Sequence, residues 1–244
     1  MTSRLPPVVL LAGGLATRLR PLTETIPKSL VDVAGEPFIY HQLRLLRSSG
    51  VERVVLCVGH LGTMIREAVA DGARFGVEVT YSDDGPRPLG TAGAIRRALP
   101  LLDASFFTLY GDSYLPCDYA RIARTFETSA GAALMTVFEN DGRWDRSNVV
   151  FQGGRILAYD KRQPTAEMRH IDYGLGLFRK SVFEDLPTDQ TVDLAAVYQD
   201  LLRRGQLVGC EVAERFYEIG SPSGLVETRR FLGAVDRNGE RSLA

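Results

Sequence analysis

A chain of 244 residues, 45% hydrophobic and 24% charged, can bury a full core as one large α/β domain or two small ones, and that balance excludes disorder, collagen and coiled coil. With 29 basic against 30 acidic side chains the net charge is −1, so no overall field exists to hold duplex nucleic acid, and any anionic ligand must be caught locally. Only three of the basic residues are lysines, Lys28, Lys161 and Lys180, which makes a compact ammonium at those points worth explaining.

Residues 1–7 lack the apolar run of a signal peptide, and no segment approaches the roughly 18 apolar residues of a membrane span. Cys57, Cys117 and Cys210 form no CxxC pair, so neither a disulfide framework nor a thiolate metal site is indicated. A cytoplasmic protein with no membrane partner is expected.

Residues 8–12 read as a buried apolar strand, 37–49 as a helix, 54–58 as a strand and 61–71 as a helix. The alternation continues with strand 77–81, helix 92–99, strand 106–110 and helix 118–129. Continuous Val/Leu/Phe strands joined by helices imply a parallel sheet covered on both faces. From residue 133 the segments shorten: 133–139, 149–151, 155–159 and 171–178 read as β, punctuated by Gly153-Gly154 and Pro164. A helix over 191–204, a strand over 207–212 and a last helix opened by Ser221-Pro222 follow, with a frayed tail after Asp236. The expected fold is α/β: a doubly wound, mostly parallel Rossmann-like sheet with a small α+β subregion, in one domain that divides near residue 132.

Open α/β sheets bind ligands beyond the carboxyl ends of their strands, so the loop after the first strand is the first candidate site. It runs from Leu11 and Ala12 through Gly13 and Gly14 to Thr17, Arg18, Arg20 and Pro21. The glycines let backbone N–H groups approach phosphate oxygens, while Thr17, Arg18 and Arg20 add side-chain donors. A dinucleotide loop would need G-x-G-x-x-G and an acid ending the second strand, which here ends Gly59-His60. That pattern disfavours a nicotinamide-dependent reductase. A Walker loop fails because Pro27, not Gly, precedes Lys28-Ser29.

Together these residues resemble the sugar-1-phosphate nucleotidyltransferases, whose signature runs Ala-Gly-Gly-x-Gly-Thr-Arg-Leu-x-Pro followed by Pro-Lys. Residues 11–30 match nearly throughout, with Ala16 where the family usually has Gly. The resemblance implies that Arg18 and Lys28 bind the triphosphate and stabilise the transition state, and that Leu11, Ala12, Gly13, Gly14 and Thr17 contact the nucleotide. It extends to Pro88-Leu-Gly-Thr-Ala-Gly-Ala94, where the family reads the base, implying roles for Gly90, Thr91 and Gly93. Thr91 also suits a plain helix cap. Tyr110-Gly-Asp112 puts Asp112 on the family's metal-binding Asp, with Mg²⁺ implied, and Phe216-Tyr-Glu218-Ile-Gly-Ser-Pro222 puts Glu218, as a second ligand, where Asp is commoner.

Tyr159-Asp-Lys161 and Ile171-Asp-Tyr-Gly174 resemble the family's Glu-Lys and Asn-Ala-Gly segments around the sugar phosphate. Lys161 is then an anchor for the acceptor phosphate, Gly174 leaves room for the acceptor ring, and Asp172 contacts the ligand or is a surface strand acid. Asp160, Asp172 and Tyr173 depart from the commonest wording. His41, His60 and His170 lack metal-ligand spacing and read as structural or rim residues.

The resemblance implies nucleotidyl transfer from a nucleoside triphosphate to a sugar 1-phosphate, giving an NDP-sugar and pyrophosphate. Residues 1–132 become a nucleotide-binding half, and 133–236 an acceptor half with a closing helix. Leu89-Gly-Thr-Ala-Gly93, preceded by Arg87-Pro88 instead of Gln, is closer to enzymes making GDP-mannose and GDP-heptose, so GTP is expected. A cytidylyl- or uridylyltransferase for another phosphorylated small molecule, such as phosphocholine or N-acetylmuramate 1-phosphate, is the alternative, with Tyr173 and Asp172 as an aromatic and acidic pocket. A non-catalytic nucleotide-binding regulatory subunit has no chemical need for intact Arg18, Lys28 and Asp112. A homo-oligomer is compatible with the composition.

Overall fold

A computed structural model of the protein describes residues 4–14, 17–85, 87–188 and 190–241. The first half comprises β1 (Val8–Leu11), β2 (Asp32–Val33), β3 (Glu36–Pro37), α1 (Phe38–Ser48), β4 (Arg53–Val58), α2 (Gly62–Val69), β5 (Glu78–Asp83), α3 (Gly90–Ala98), β6 (Ser105–Tyr110), β7 (Ser113–Tyr114) and α4 (Tyr119–Glu127). The second half adds β8 (Ala133–Glu139), β9 (Val149–Gln152), β10 (Arg155–Tyr159), β11 (His170–Arg179), α5 (Leu194–Arg203), β12 (Leu207–Val212), β13 (Tyr217–Glu218) and α6 (Pro222–Arg241).

Among the described residues one nine-stranded sheet runs β10-β9-β11-β6-β1-β4-β5, with β8 pairing β11 and β12 pairing β8. The strands β5, β4, β1 and β6 are parallel, as the unbroken apolar runs of β1 and β4 predict. From β1 the chain winds outward to β4 and β5, then returns through α3 to β6 on the other side of β1. The order therefore reverses between β1 and β6, which is where an open sheet leaves a crevice for ligand. Antiparallel β11 pairs with β6 on one side and β8 on the other, joining the second half of the chain to the sheet.

Val8, Val9 and Leu10 are fully buried because helices cover both faces of the sheet. Ile39, Leu43 and Leu46 of α1 and Ile122 and Phe126 of α4 share one core. Ile95 and Ala98 of α3 and Leu194, Tyr198 and Leu201 of α5 share the other. All three cysteines are free and buried. No helix among the described residues is long and apolar enough to cross a membrane.

The last helix opens at Pro222 as expected but runs to Arg241, past the anticipated end at Asp236. Leu225 and Leu232 dock it against Val31, Val33 and Phe38, and once anchored a helix propagates at little cost per residue. The ladders β2–β3 and β7–β13 were not legible, because two-residue strands carry no period.

Packing is tight where β11 meets α5. A methyl group on Gly176 would overlap the Tyr198 hydroxyl and come within 2.8 Å of Thr108 Oγ1. Gly176→Ala is expected to destabilise the fold by about 2 kcal/mol through overpacking, read as a lower urea midpoint. An unchanged midpoint would mean that α5 rides loosely on the sheet.

Candidate active site

A cavity of about 880 Å³ opens over the carboxyl ends of β5, β4, β1 and β6. Leu11, Ala12, Gly13 and Gly14 form its floor, as the first loop predicts, and Gly90 and Thr91 stand in its wall. Gly90 takes φ +74°, and a Cβ there would meet the Val192 carbonyl oxygen at 2.5 Å, so no other residue fits without movement. Gly93, expected at the nucleotide, is not among the lining residues; it packs against Leu89. Thr91 does not cap its own helix, whose N-cap is Leu89. Its hydroxyl instead accepts the Leu194 N–H at 2.7 Å, at the start of α5 beside its N-cap Asp193, tying the two helices together. Ala16 lies outside the described residues, and Thr17 begins a short 3-10 turn, Thr17–Leu19, that carries Arg18.

At the other end of the cavity, Pro27 starts a second turn, Lys28–Leu30, and Lys28 Nζ donates to Asp112 Oδ2 at 2.5 Å. Both side chains are about one fifth exposed. Asp112 is held there by its neighbours. The Gly111 N–H donates to the Leu11 carbonyl, and a Cβ on Gly111 would press that same oxygen at 2.7 Å. Gln42 of α1 donates to the Tyr110 and Ser113 carbonyls at 3.1 and 2.8 Å, pinning the corner from below. The β7–β13 ladder sets Glu218 opposite Ser113, and the Ile219 N–H donates to the Asp112 carbonyl. Residues remote in sequence thereby meet: a Cβ on Gly220 would lie 2.7 Å from Asp112 Oδ2, 2.9 Å from Glu218 Oε2 and 3.5 Å from Arg18 Nη2.

The Glu218 carboxylate is fixed by the Gly220 and Ser221 N–H groups, at 2.5 and 3.0 Å, and by the Ser221 hydroxyl at 2.5 Å. Asp112 Oδ2 and Glu218 Oε2 thus converge on one point, too closely for a methyl group to fit between them. That is a fit for a hard divalent cation of the Mg²⁺ type, which takes one or two carboxylates and completes its shell with water and substrate phosphates. No cluster of three or more His, Cys, Asp or Glu side chains exists among the described residues to form an all-protein cage.

In the second half of the chain, Lys161 Nζ lies 2.9 Å from Asp172 Oδ2, whose side chain is only 2% exposed. This corrects the reading of Asp172 as a surface acid. Its carboxylate also accepts from the Tyr159 hydroxyl and the Gly174 N–H, and its own N–H donates to Asn148 Oδ1. Burial works against the Lys161 ammonium, but Asp172, followed by Tyr110, outweighs it and holds the amine's pKa above its usual value. Tyr110, pushed up to about 12 by burial, lines the cavity and lies beside Lys161, whose Nζ is 5.2 Å from its ring centroid. Gly174 sits at φ +100° where the register of β11 shifts, a backbone state that favours glycine. Tyr173 turns the other way, 2% exposed between Phe138 and Phe216, so it adds no aromatic wall to an acceptor pocket.

His41 contacts the Val33 carbonyl and His170 contacts Glu211, both structural, while His60 stands exposed at the cavity rim. Asp84 belongs to no sequence motif. It follows β5, lines the cavity, and lies against the α-carbon faces of Gly13 and Gly59. Burial raises its carboxyl to about 6, with Arg97 opposing and Asp83 adding to the rise. Its position beyond a strand's carboxyl end was the available signal.

Residues 7–233 match the family model described as Nucleotidyl transferase. The chain is 30% identical over 244 residues to the N-acetylmuramate alpha-1-phosphate uridylyltransferase of Neisseria meningitidis, covering 93% of this chain and 98% of that protein. It is 28% identical over 220 residues to the mannose-1-phosphate guanylyltransferase catalytic subunit beta of Xenopus tropicalis, covering 88% of this chain and 61% of that protein. The crystal structure of HddC from Yersinia pseudotuberculosis complexed with GMP-PN is similar with a TM-score of 0.77 and 25% identity, covering 93% of this chain and 100% of that one. With a glycine-floored cavity at the switch point and cations and carboxylates converging beside it, the chain belongs to the nucleotidyl transferase family and, within it, to the sugar-1-phosphate nucleotidyltransferases.

Proposed function

We propose that the protein transfers a guanylyl group from GTP to a sugar 1-phosphate with Mg²⁺ as cofactor. The observation that carries the reaction is the convergence of Arg18, Asp112 and Glu218 on Gly220, with Lys28 paired to Asp112. The acceptor phosphate is largely dianionic at neutral pH, its second pKa being about 6, and needs no general base. One of its oxygens bonds to the α-phosphorus of the triphosphate, the bond from that phosphorus to the bridging oxygen of the β-phosphate breaks, and pyrophosphate leaves with the electron pair.

Two polyanions must be brought together, so alignment and cationic cover are what the chain supplies. Lys28 and Arg18 face the triphosphate; Lys161 receives the acceptor phosphate. Asp112 and Glu218 would hold Mg²⁺, which when bound neutralises charge on the phosphate oxygens. The Lys28–Asp112 contact opens on loading, Lys28 exchanging a carboxylate for phosphate. Three buried free thiols suit a reducing, cytoplasmic setting.

Gly220→Ala tests the convergence. Its methyl group displaces Asp112 or Glu218, and kcat is expected to fall about 10- to 100-fold with the circular dichroism spectrum unchanged. Parental kcat would remove that point from the site.

The guanylyl choice is supported by Leu89-Gly-Thr-Ala-Gly93 and by similarity to HddC complexed with GMP-PN. Uridylyl transfer to N-acetylmuramate 1-phosphate is the second reading, favoured because the Neisseria meningitidis relative is matched over 98% of its length. Pyrophosphate release from each nucleoside triphosphate against a panel of sugar 1-phosphates separates them. GTP is expected to lead by at least about tenfold in kcat/KM, the worth of one decisive hydrogen bond. Equal or better turnover with UTP would replace guanylyl by uridylyl.

A further inference from the structure

We propose that Arg215 is a positioning residue: in contact with the Trp144 and Tyr217 rings at once, it fixes the short strand that presents Glu218 to the cation. The proposal rests on the reading of Asp112 and Glu218 as the Mg²⁺ ligands. The Glu218 strand, β13, pairs with β7 over two residues, Tyr217 opposite Tyr114 and Glu218 opposite Ser113. So short a ladder is not stable by itself. Its surroundings must set where Glu218 stands.

One support comes from α6, whose Thr228 hydroxyl donates to the Glu218 carbonyl at 2.8 Å and whose Phe231 ring stacks on Tyr217 with centroids 3.9 Å apart. The other is Arg215. Its guanidinium carbon lies 3.3 Å from the centre of the Trp144 ring and 4.8 Å from that of Tyr217, and its Nη2 donates to Glu227 of α6. Hydrogen bonding alone does not account for this placement, because Arg215 Nε is buried without a partner. Contact with two aromatic faces does.

Trp144, the one tryptophan of the chain, is 44% exposed, yet the loop between β8 and β9 is built to hold it. The Trp144 N–H donates to Asn140 Oδ1 at 3.2 Å, and the fully buried Asn140 amide donates in turn to the Asp145 carbonyl and Ser147 Oγ at 2.6 and 3.0 Å. The ring is thereby a fixed outer wall for the guanidinium. The chain of contacts runs from that loop through Arg215 and Tyr217 to the residue beside Glu218.

Charge by itself predicts the opposite effect from position. Arg215 is a cation three residues from Glu218, so its removal would favour Mg²⁺ if repulsion were its only influence. As a positioning residue its removal weakens Mg²⁺, because Glu218 no longer stands opposite Asp112.

Mn²⁺ in place of Mg²⁺, bound to the protein with GTP and no acceptor, is read by water-proton relaxation. Arg215→Met is expected to weaken that binding about tenfold and to raise the Mg²⁺ concentration for half-maximal turnover by a like factor. Saturating Mg²⁺ is expected to restore kcat to within about threefold of the parent, as one lost contact between cation and ring allows. Trp144→Ala, at the surface, is expected to shift both midpoints the same way by about threefold, and Trp144→Phe to recover most of that shift by keeping an aromatic face. Parental or tighter cation binding in Arg215→Met and Trp144→Ala, or a kcat deficit that saturating Mg²⁺ leaves unrepaired, would overturn Arg215 as a positioning residue while leaving nucleotidyl transfer standing. Equal Mn²⁺ binding by the parent and Asp112→Asn would instead defeat the reading of the cation site on which the proposal rests.

Discussion

Lys28→Ala is expected to lower kcat by about 100- to 1,000-fold while GTP affinity changes far less, the size of effect seen when one preorganised donor to a developing oxyanion is removed. In the proposed reaction the ammonium faces charge that grows as the α-phosphorus takes a fifth oxygen, so its contribution rises along the reaction coordinate. Pro27 and the turn Lys28–Leu30 fix where it can reach. Lys28→Arg is also expected to be poor, since a planar fork needs more room than a point charge in a place the Asp112 oxygen approaches to 2.5 Å. Stopped-flow single turnovers beside equilibrium titrations separate the two effects. Rates within a few-fold of the parent for either variant would remove Lys28 from the chemistry.

Asp112→Asn is expected to be nearly inactive, at least about 100-fold down in kcat/KM, and to need a far higher Mg²⁺ concentration for what activity remains. The loss of one negative charge weakens the cation site directly and also leaves the Lys28 ammonium without its partner. Glu218→Gln is expected to be milder, because three donors already occupy its carboxylate and the amide can keep only part of that arrangement. A Mg²⁺ titration of Asp112→Asn that overlays the parent's would show that the cation is held elsewhere.

The parts that sequence made legible are those whose signal is local. An unbroken Val-Val-Leu-Leu run reads as a strand covered on both faces, and the two glycines after it line the cavity, Gly13 in close contact with Asp84 and Gly59. What stayed hidden depends on partners distant in the chain. Glu218 joins Asp112 through a two-residue ladder with no period to detect. Thr91 accepts the first N–H of a helix a hundred residues later, a contact that only the tertiary fold brings about. Tyr173 looked like an acceptor-pocket aromatic beside Asp172, yet the strand sends the two side chains opposite ways, one into the core and one onto Lys161. Gln42 and Asp84 carry no motif at all, and only the folded corner shows what they touch.

The central claim is that one cleft joins an acceptor phosphate to the α-phosphorus of a nucleoside triphosphate. Phosphorus NMR of the protein incubated with GTP, Mg²⁺ and a panel of sugar 1-phosphates reads that bond directly. The account predicts equal growth of two coupled diphosphate resonances from a nucleotide-sugar and of the pyrophosphate singlet, with no inorganic phosphate, and all of it absent in Lys28→Ala on the same timescale. Release of inorganic phosphate with GDP, or consumption of GTP that is indifferent to the sugar phosphate, would contradict it.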